Sequence, residues 1–358
     1  MDNYNAPKYE VVKNYLKHLM KENELLFGEK LPSEHELMEK FKISRHTVRQ
    51  ALGDLSAEGL IYKMQGRGTF SNFKNGNKNK QMVAVLTTYM SAYVFPGILS
   101  GIESVLSEEG YIMLLSSTNN SKKREAELLT TILKHDVVGL IIEPTRSAFE
   151  NDNIALLEEV RKRGIKTVFI NACYDNFDSS YVIMDDVKGG YLLTEYLIQL
   201  GHRRIAGIFK TDDKQGVKRK EGYLAALKKY GIEADLALIG EYSTSTLIDY
   251  PYMFTQSIIK GDSAPTAIVS YNDQCAMLIV QAINDKGLTV PQDISVVGYD
   301  DSIQFMQADV QLTTIRHPKK EMGIQAAKFL TNMLDGIVEE PQMIYRPELI
   351  VRNSCKNI

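Results

Sequence analysis

Hydrophobic positions change their spacing twice along this chain, and the changes divide it into three stretches. In residues 8–20 the apolar side chains Val12, Leu16, Leu19 and Met20 fall on one side of a helical wheel, predicting an amphipathic helix. Pro32 and the run Ser33, His35 and Glu36 predict a second, short helix ending near Phe41. There Ser33 can accept an N–H bond and Glu36 can reach back to Ser33. Ser44 then caps a third helix in which Val48, Leu52 and Leu55 form the buried stripe. Gly59 stops that helix, and residues 61–70 read as a hairpin with Gly66 and Gly68 at its tip.

Residues 71–81, SNFKNGNKNKQ, contain no aliphatic side chain and read as an exposed linker. From residue 82 the texture becomes short, continuous apolar runs separated by helical segments. The runs are MVAVLTT (82–88), YIMLLSS (111–117), VVGLII (137–142), TVFIN (167–171), RIAGIF (204–209), TAIVS (266–270) and ISVVGYD (294–300). Continuous rather than alternating runs suit strands covered by helices on both faces, and the β-α-β order implies parallel, doubly wound sheets. The expected organisation is a winged helix-turn-helix in residues 1–70, a linker in 71–81 and an α/β module in 82–358.

Composition narrows the function classes. The chain has 358 residues, 44% hydrophobic and 24% charged, with a net charge of -3, which fits two or three soluble folding units. The start MDNYNAPKYE lacks a signal-peptide apolar run, and no stretch reaches about 18 uninterrupted apolar residues. A cytoplasmic location with no membrane partner is expected. Cys173, Cys275 and Cys355 form no CxxC, so neither a disulfide framework nor a structural zinc site is expected. Histidines stand at His35, His202 and His317 without metal-ligand spacing, and no Walker lysine or GxSxG elbow is present. The expectation is therefore a non-enzyme with no cofactor and no metal.

The phasing of the third helix leaves Arg45, His46, Arg49 and Gln50 on its outer face. Arginines near a helix N-terminus can read guanine edges in the major groove. A solvated charged face explains the same helix equally well, but the basic hairpin that follows, with Gln65, Gly66 and Arg67 at its tip, favours a DNA-reading wing.

The segment KLPSEHELMEKFKISRHTVRQALGDLSAEGLIYKMQGRGTF resembles the GntR family of winged-helix regulators, with its LPSE, SRxTVRxAL and GxGT motifs in order. The resemblance implies that Arg45, His46, Thr47 and Arg49 meet the major groove on a helix opened by Ser44. It further implies Glu34 beside that helix, Gln65, Gly66 and Arg67 at the wing, and Lys8 on a phosphate.

For the larger module, ligands of open parallel sheets bind beyond the carboxyl ends of the strands. The residues following the runs are Tyr89, Tyr93 and Phe95, then Glu143 and Arg146, then Asn171, then Asn272 and Asp273, then Asp300 and Asp301. Carboxylates, amides and an arginine around aromatic rings suit a sugar, whose hydroxyls take the polar groups and whose C–H faces take the rings. Asn and Asp at strand ends also cap turns, which is the alternative for each of these positions taken singly.

The blocks DDVKGGYLLTEYLIQLGHRRIAGI, RKEGYLAAL, YNDQCAM, ISVVGYDD and LTTIRHPKKEMGIQAA resemble, in order, the LacI/GalR regulators and their periplasmic-binding-protein-like effector fold of two parallel-sheet lobes. That resemblance implies that Arg219, Asn272 and Asp300 line the effector cleft. LacI relatives carry their own helix-turn-helix and hinge helix where this chain has a GntR-type wing and polar linker. A GntR-type head on a LacI-type effector module resembles the bacterial arabinose-responsive repressors. This implies L-arabinose as effector, and a homodimer bound to a palindromic operator.

Overall fold

A computed structural model describes residues 7–21, 25, 27–64, 66–73, 81–90, 94–302 and 310–358. The chain separates into two compact units, Met1–Lys80 and Gln81–Ile358.

The first unit packs helices α1 (Lys8–Lys21), α2 (Glu34–Phe41) and α3 (Arg45–Ala57) against a hairpin of β1 (Ile61–Met64) and β2 (Gly68–Ser71). The α2 start has the predicted reciprocal cap. Glu36 N donates to Ser33 Oγ at 3.2 Å and Ser33 N donates to Glu36 Oε2 at 2.6 Å. Gly59, with φ +73°, turns the chain out of α3 in a conformation that costs other residues a Cβ clash. Val12, Leu16, Met20, Leu37, Val48, Leu52, Leu55 and Ile61 close one core. Lys30 adds an isolated antiparallel bridge to Phe70, so the wing gains a short third edge. This unit is a winged helix-turn-helix.

Among the described residues the second unit contains two parallel sheets and a two-stranded antiparallel one. The six-stranded sheet comprises β3 (Met82–Thr87), β4 (Ile112–Ser117), β5 (Val137–Ile142), β6 (Lys166–Asn171), β7 (Ser180–Met184) and β13 (Gln342–Tyr345). Its order is β13-β7-β6-β5-β3-β4 and its pairings are parallel. Helices α4 (Phe95–Glu108), α5 (Lys122–Ile132), α6 (Ile154–Lys162) and α11 (Lys319–Leu334) belong to this lobe.

The other lobe is a four-stranded parallel sheet, β11-β10-β8-β9, made of β8 (Ile205–Lys210), β9 (Ile239–Tyr242), β10 (Ala267–Ser270) and β11 (Ser295–Val297). Its helices are α7 (Asp186–Gln199), α8 (Lys214–Lys229), α9 (Asp249–Ile258) and α10 (Asp273–Asn284). The chain enters this lobe after β7, leaves it through β12 (Thr314–Arg316), and comes back after β13 through β14 (Glu348–Ile350), which pairs antiparallel with β12. Among the described residues no helix is long and apolar enough to cross a membrane.

One packing detail positions the site. A Cβ on Gly190 would lie 2.1 Å from the Arg219 carbonyl oxygen, and one on Gly222 would lie 2.0 Å from that of Val187. Only glycines allow α7 and α8 to cross this closely, and the crossing sets Arg219 of α8 against Asp186 of α7.

Candidate DNA-reading surface and effector pocket

In the first unit, Ser44 caps α3 by accepting Thr47 N at 3.3 Å, and its hydroxyl lies 2.9 Å from Thr47 Oγ1. The helix buries Val48, Ala51, Leu52 and Leu55 and leaves Arg45, His46, Arg49 and Gln50 exposed. Glu34, at the start of α2, holds both arginines through their Nε atoms, at 3.1 Å to Arg45 and 3.2 Å to Arg49. The two guanidinium groups therefore stand side by side before any DNA arrives. Lys8 is exposed at the first residue of α1. At the wing tip Gly66 has φ +74° and Arg67 is exposed. Gln65 lies outside the described residues.

In the second unit a cleft of about 730 Å³ opens between the two sheets, at the carboxyl ends of their strands. Seven of the residues expected from sequence line it: Tyr89, Phe95, Glu143, Asn171, Arg219, Asn272 and Asp300. Tyr93 lies outside the described residues. Arg219 is the centre of its charge. Its Nε donates to Asp186 Oδ1 at 2.8 Å, its Nη1 to the Tyr271 carbonyl at 2.8 Å, and its Nη2 stands 3.8 Å from Asp300 Oδ1. Burial opposes the charge, but the facing carboxylates outweigh it and keep the guanidinium protonated. The Arg219 guanidinium also lies 3.5 Å from the centre of the Tyr299 ring.

Glu143 is held on the opposite wall. Burial pushes its carboxyl up to about 7, against hydrogen bonds from Thr88 and Asn171 that favour the ionised form. Asn171 Nδ2 donates to Glu143 Oε1 at 2.8 Å, and Asn171 Oδ1 lies 3.1 Å from His317 Nε2. Burial holds His317 well below the ordinary histidine range, so the ring is neutral.

Two of the expected pocket residues are placed elsewhere. Arg146 sits at the rim, outside the lining. Its Nε is 3.9 Å from Asp212 Oδ2, and its backbone N donates to Asn120 Oδ1 at 2.8 Å. Asn120 Nδ2 in turn reaches Thr244 Oγ1 at 2.7 Å and Asp213 Oδ1 at 3.2 Å, so this rim joins the two lobes. Asp273 is outside the lining, accepting Ser302 N at 2.7 Å and Thr314 Oγ1 at 2.8 Å. Burial, with the charge of Asp300 adding to it, pushes its carboxyl up to about 7. Asn272 serves both purposes, since its Oδ1 caps α10 from Cys275 N at 2.9 Å while the side chain borders the pocket.

The sequence reading missed Asp186, Lys210, Asp213, Tyr271 and His317, all of which line the cleft. Lys210 is 3% exposed and sits 3.3 Å from Asp212 Oδ1 and against Asp213. It ends strand β8, so the strand-end rule applied to that run too would have found it. Tyr271 directly precedes the expected Asn272, Asp186 lies in a block from which no site residue was expected, and His317 stood only among the histidines without metal-ligand spacing. Among the described residues no cluster of His, Cys, Asp or Glu could hold a metal ion.

Comparison with known proteins agrees with both halves. Residues 8–70 match the family described as bacterial regulatory proteins, gntR family, and residues 194–355 match the periplasmic binding protein-like domain. An arabinose metabolism transcriptional repressor of Geobacillus stearothermophilus is 44% identical, over 98% of this chain and 98% of its own length. Another, from Halalkalibacterium halodurans, is 41% identical over 97% of this chain and 96% of its own. Among solved structures, the transcriptional regulator CelR–cellobiose complex superposes with a TM-score of 0.68 at 25% identity, covering 87% of this chain and 91% of that one. A LacI family regulator of Enterococcus faecium with bound ribose gives 0.67 at 26% identity, covering 78% and 100%.

Proposed function

Since this chain belongs to the arabinose metabolism transcriptional repressors, we propose that it is a DNA-binding repressor of arabinose-utilisation genes that leaves its operator on binding L-arabinose. The observation that carries the reading is the joint presence of two exposed arginines aligned by Glu34 and, in the other unit, a charged cleft rimmed by aromatic rings. Residues 1–70 read DNA, 71–81 link, and 82–358 sense the sugar.

On DNA, Arg45, His46, Thr47 and Arg49 face base edges and Glu34 orients the two arginines. Lys8 takes a phosphate, and the wing tip at Gln65, Gly66 and Arg67 approaches the backbone or minor groove. A homodimer would present two such heads to the halves of a palindrome. In the cleft, Asp300, Glu143, Asn171 and Asn272 hydrogen-bond sugar hydroxyls, Arg219 donates, and Tyr89 and Phe95 cover the apolar sugar face. The sugar is bound and not converted. It lowers operator affinity only through its different affinity for the DNA-bound and DNA-free states, an allosteric coupling that works equally in reverse.

The test is calorimetric titration of the full chain with L-arabinose, D-xylose, D-ribose and D-galactose, followed by operator release in the presence of each. Binding and release with L-arabinose alone is the expected result. Release by one of the others, with no response to L-arabinose, would establish the second reading. That reading is a regulator of the same build tuned to another sugar, which the cellobiose and ribose complexes of similar folds make concrete.

A further inference from the structure

Among the described residues that line the cleft, Gln215 Oε1 and His317 Nδ1 are buried without a hydrogen-bond partner, and the character of the second can be deduced from its neighbours. Glu143 Oε2 accepts Thr88 N at 3.0 Å and also the Thr88 hydroxyl, while Oε1 accepts Asn171 Nδ2 at 2.8 Å. Beside an ionised carboxylate the Asn171 amide cannot be reversed, because two acceptor oxygens would then face each other. Its Oδ1 therefore points the other way, to His317 Nε2 at 3.1 Å. An amide oxygen only accepts, so Nε2 carries the ring proton. In a neutral imidazole Nδ1 is then a bare lone pair.

That Nδ1 is buried and has no hydrogen-bond partner, in a residue 7% exposed that lines the cleft. His202 provides the contrast. It is buried too, but its Nδ1 lies 2.9 Å from Thr266 Oγ1 and its Nε2 3.2 Å from the Lys356 carbonyl, so the protein satisfies both nitrogens. A histidine that only braces the fold looks like His202. Leaving a buried acceptor unpaired is unfavourable, and a cleft open to ligand is where such an atom has a use.

We propose that His317 Nδ1 is a fixed acceptor for one hydroxyl of the bound sugar, and that Thr88, Glu143 and Asn171 are positioning residues that lock the ring in that tautomer. The inference rests on the cleft being the sugar site described above. A single lone pair discriminates more sharply than a carboxylate, which can accept from several directions. A ligand carrying hydrogen or a methyl ether in place of that hydroxyl leaves Nδ1 buried and unpaired, and sites built around a hydroxyl reject analogues lacking it.

The experiment is calorimetry with L-arabinose and its monodeoxy derivatives, at about pH 8 where Glu143 is ionised. The proteins are the full-length wild type and the variants His317→Ala, His317→Asn and His317→Gln. The alanine variant should bind L-arabinose about 10- to 100-fold more weakly. One monodeoxy sugar should show that same loss with wild type and no further loss with the alanine variant. Asn, whose Oδ1 falls near the place of Nδ1, should keep most of the affinity. Gln, which reaches only Asn171, should not.

Thermal unfolding of the effector unit of each variant reports that it is folded. Nitrogen-15 spectra give a second readout: His317 Nδ1 should appear unprotonated in wild type and of mixed tautomer in Asn171→Leu. If every deoxy sugar loses as much on the alanine variant as on wild type, or if Nδ1 is protonated, the inference is overturned and the sugar site stands. Failure of wild type to bind L-arabinose overturns the arabinose reading itself, and the inference with it.

Discussion

The two units solve recognition in opposite ways. The candidate DNA surface is built from one exposed helix and a wing tip, with its key side chains within a few residues of one another. The candidate sugar pocket is buried and takes its walls from the ends of strands in both lobes, from Tyr89 in the first to His317 after the last crossing. A local surface can tolerate the loss of one contact because neighbours and solvent remain. A buried pocket cannot, since each removed group leaves its partner unsatisfied in a medium where that is costly. Substitutions should therefore weigh more heavily in the pocket than on the reading helix.

The largest expected effect tests the pocket side of this contrast. Asp300→Ala removes a buried carboxylate beside Arg219, and sugar binding should weaken by about 2–5 kcal/mol, enough to abolish operator release at ordinary sugar concentrations. DNA binding should persist. Operator release at an unchanged sugar concentration would remove Asp300 from the site. The reading helix comes next. Arg45→Ala should cost about 1–3 kcal/mol of specific operator binding and relax base preference, because the guanidinium is exposed and replaceable in part by water. Unchanged operator affinity in the variant would sink the assignment of α3 as the reading helix.

The same contrast governs how much could be read from the sequence. In the head, helix period, caps and wing all lie within residues 8–70, so pattern and position coincide, and the Ser33–Glu36 box stands where its spacing places it. In the effector module the apolar runs marked β3, β4, β5, β6, β8, β10 and β11, but not the central strand β7. The edge strand β13, with its exposed and half-buried positions, carried no such signature, nor did the four-residue β9. Tyr89, Glu143 and Asn171 were visible as strand-end polar groups. Asp186 and His317 were not, because what brings them to the cleft is the glycine crossing of α7 and α8 and the return of the chain through β12. Arg146 and Asp273 fit the strand-end rule as well as the true lining residues do. Only side-chain direction separates them, and sequence spacing does not encode it.

Burial also leaves a pH signature that the exposed head lacks. The Glu143 carboxyl titrates at about 7 in the folded chain instead of 4.5, so it binds its proton more tightly folded than unfolded. The stability it contributes is complete below about pH 4.5 and is lost as pH rises through about 7, by an amount on the order of 1–3 kcal/mol. Asp273, raised likewise to about 7, acts in the same direction. Thermal unfolding of the effector unit should therefore show a midpoint that falls between about pH 5 and 8. Glu143→Gln should flatten part of that slope and leave the share due to Asp273. Parallel slopes for wild type and variant would mean that Glu143 is not strained by its burial.

The smallest expected effect sits at the rim, where the pocket becomes a surface again. Arg146 is 43% exposed, and its Nε, 3.9 Å from Asp212 Oδ2, makes only a long ion pair and no hydrogen bond. Asn120 carries more of the junction, since it accepts from the Arg146 backbone and donates to Thr244 and Asp213 across the cleft. If these contacts only hold the lobes together around a bound sugar, Arg146→Ala should speed sugar release by a few-fold at most, about 0.2–1 kcal/mol, and leave association unchanged. Asn120→Ala should do the same more strongly, because it removes buried hydrogen bonds instead of an exposed charge. Stopped-flow measurement of both rates separates this from direct contact. A loss of Arg146 as severe as that of Asp300 would place its guanidinium on the sugar, and the distinction between lining and rim would have to be redrawn.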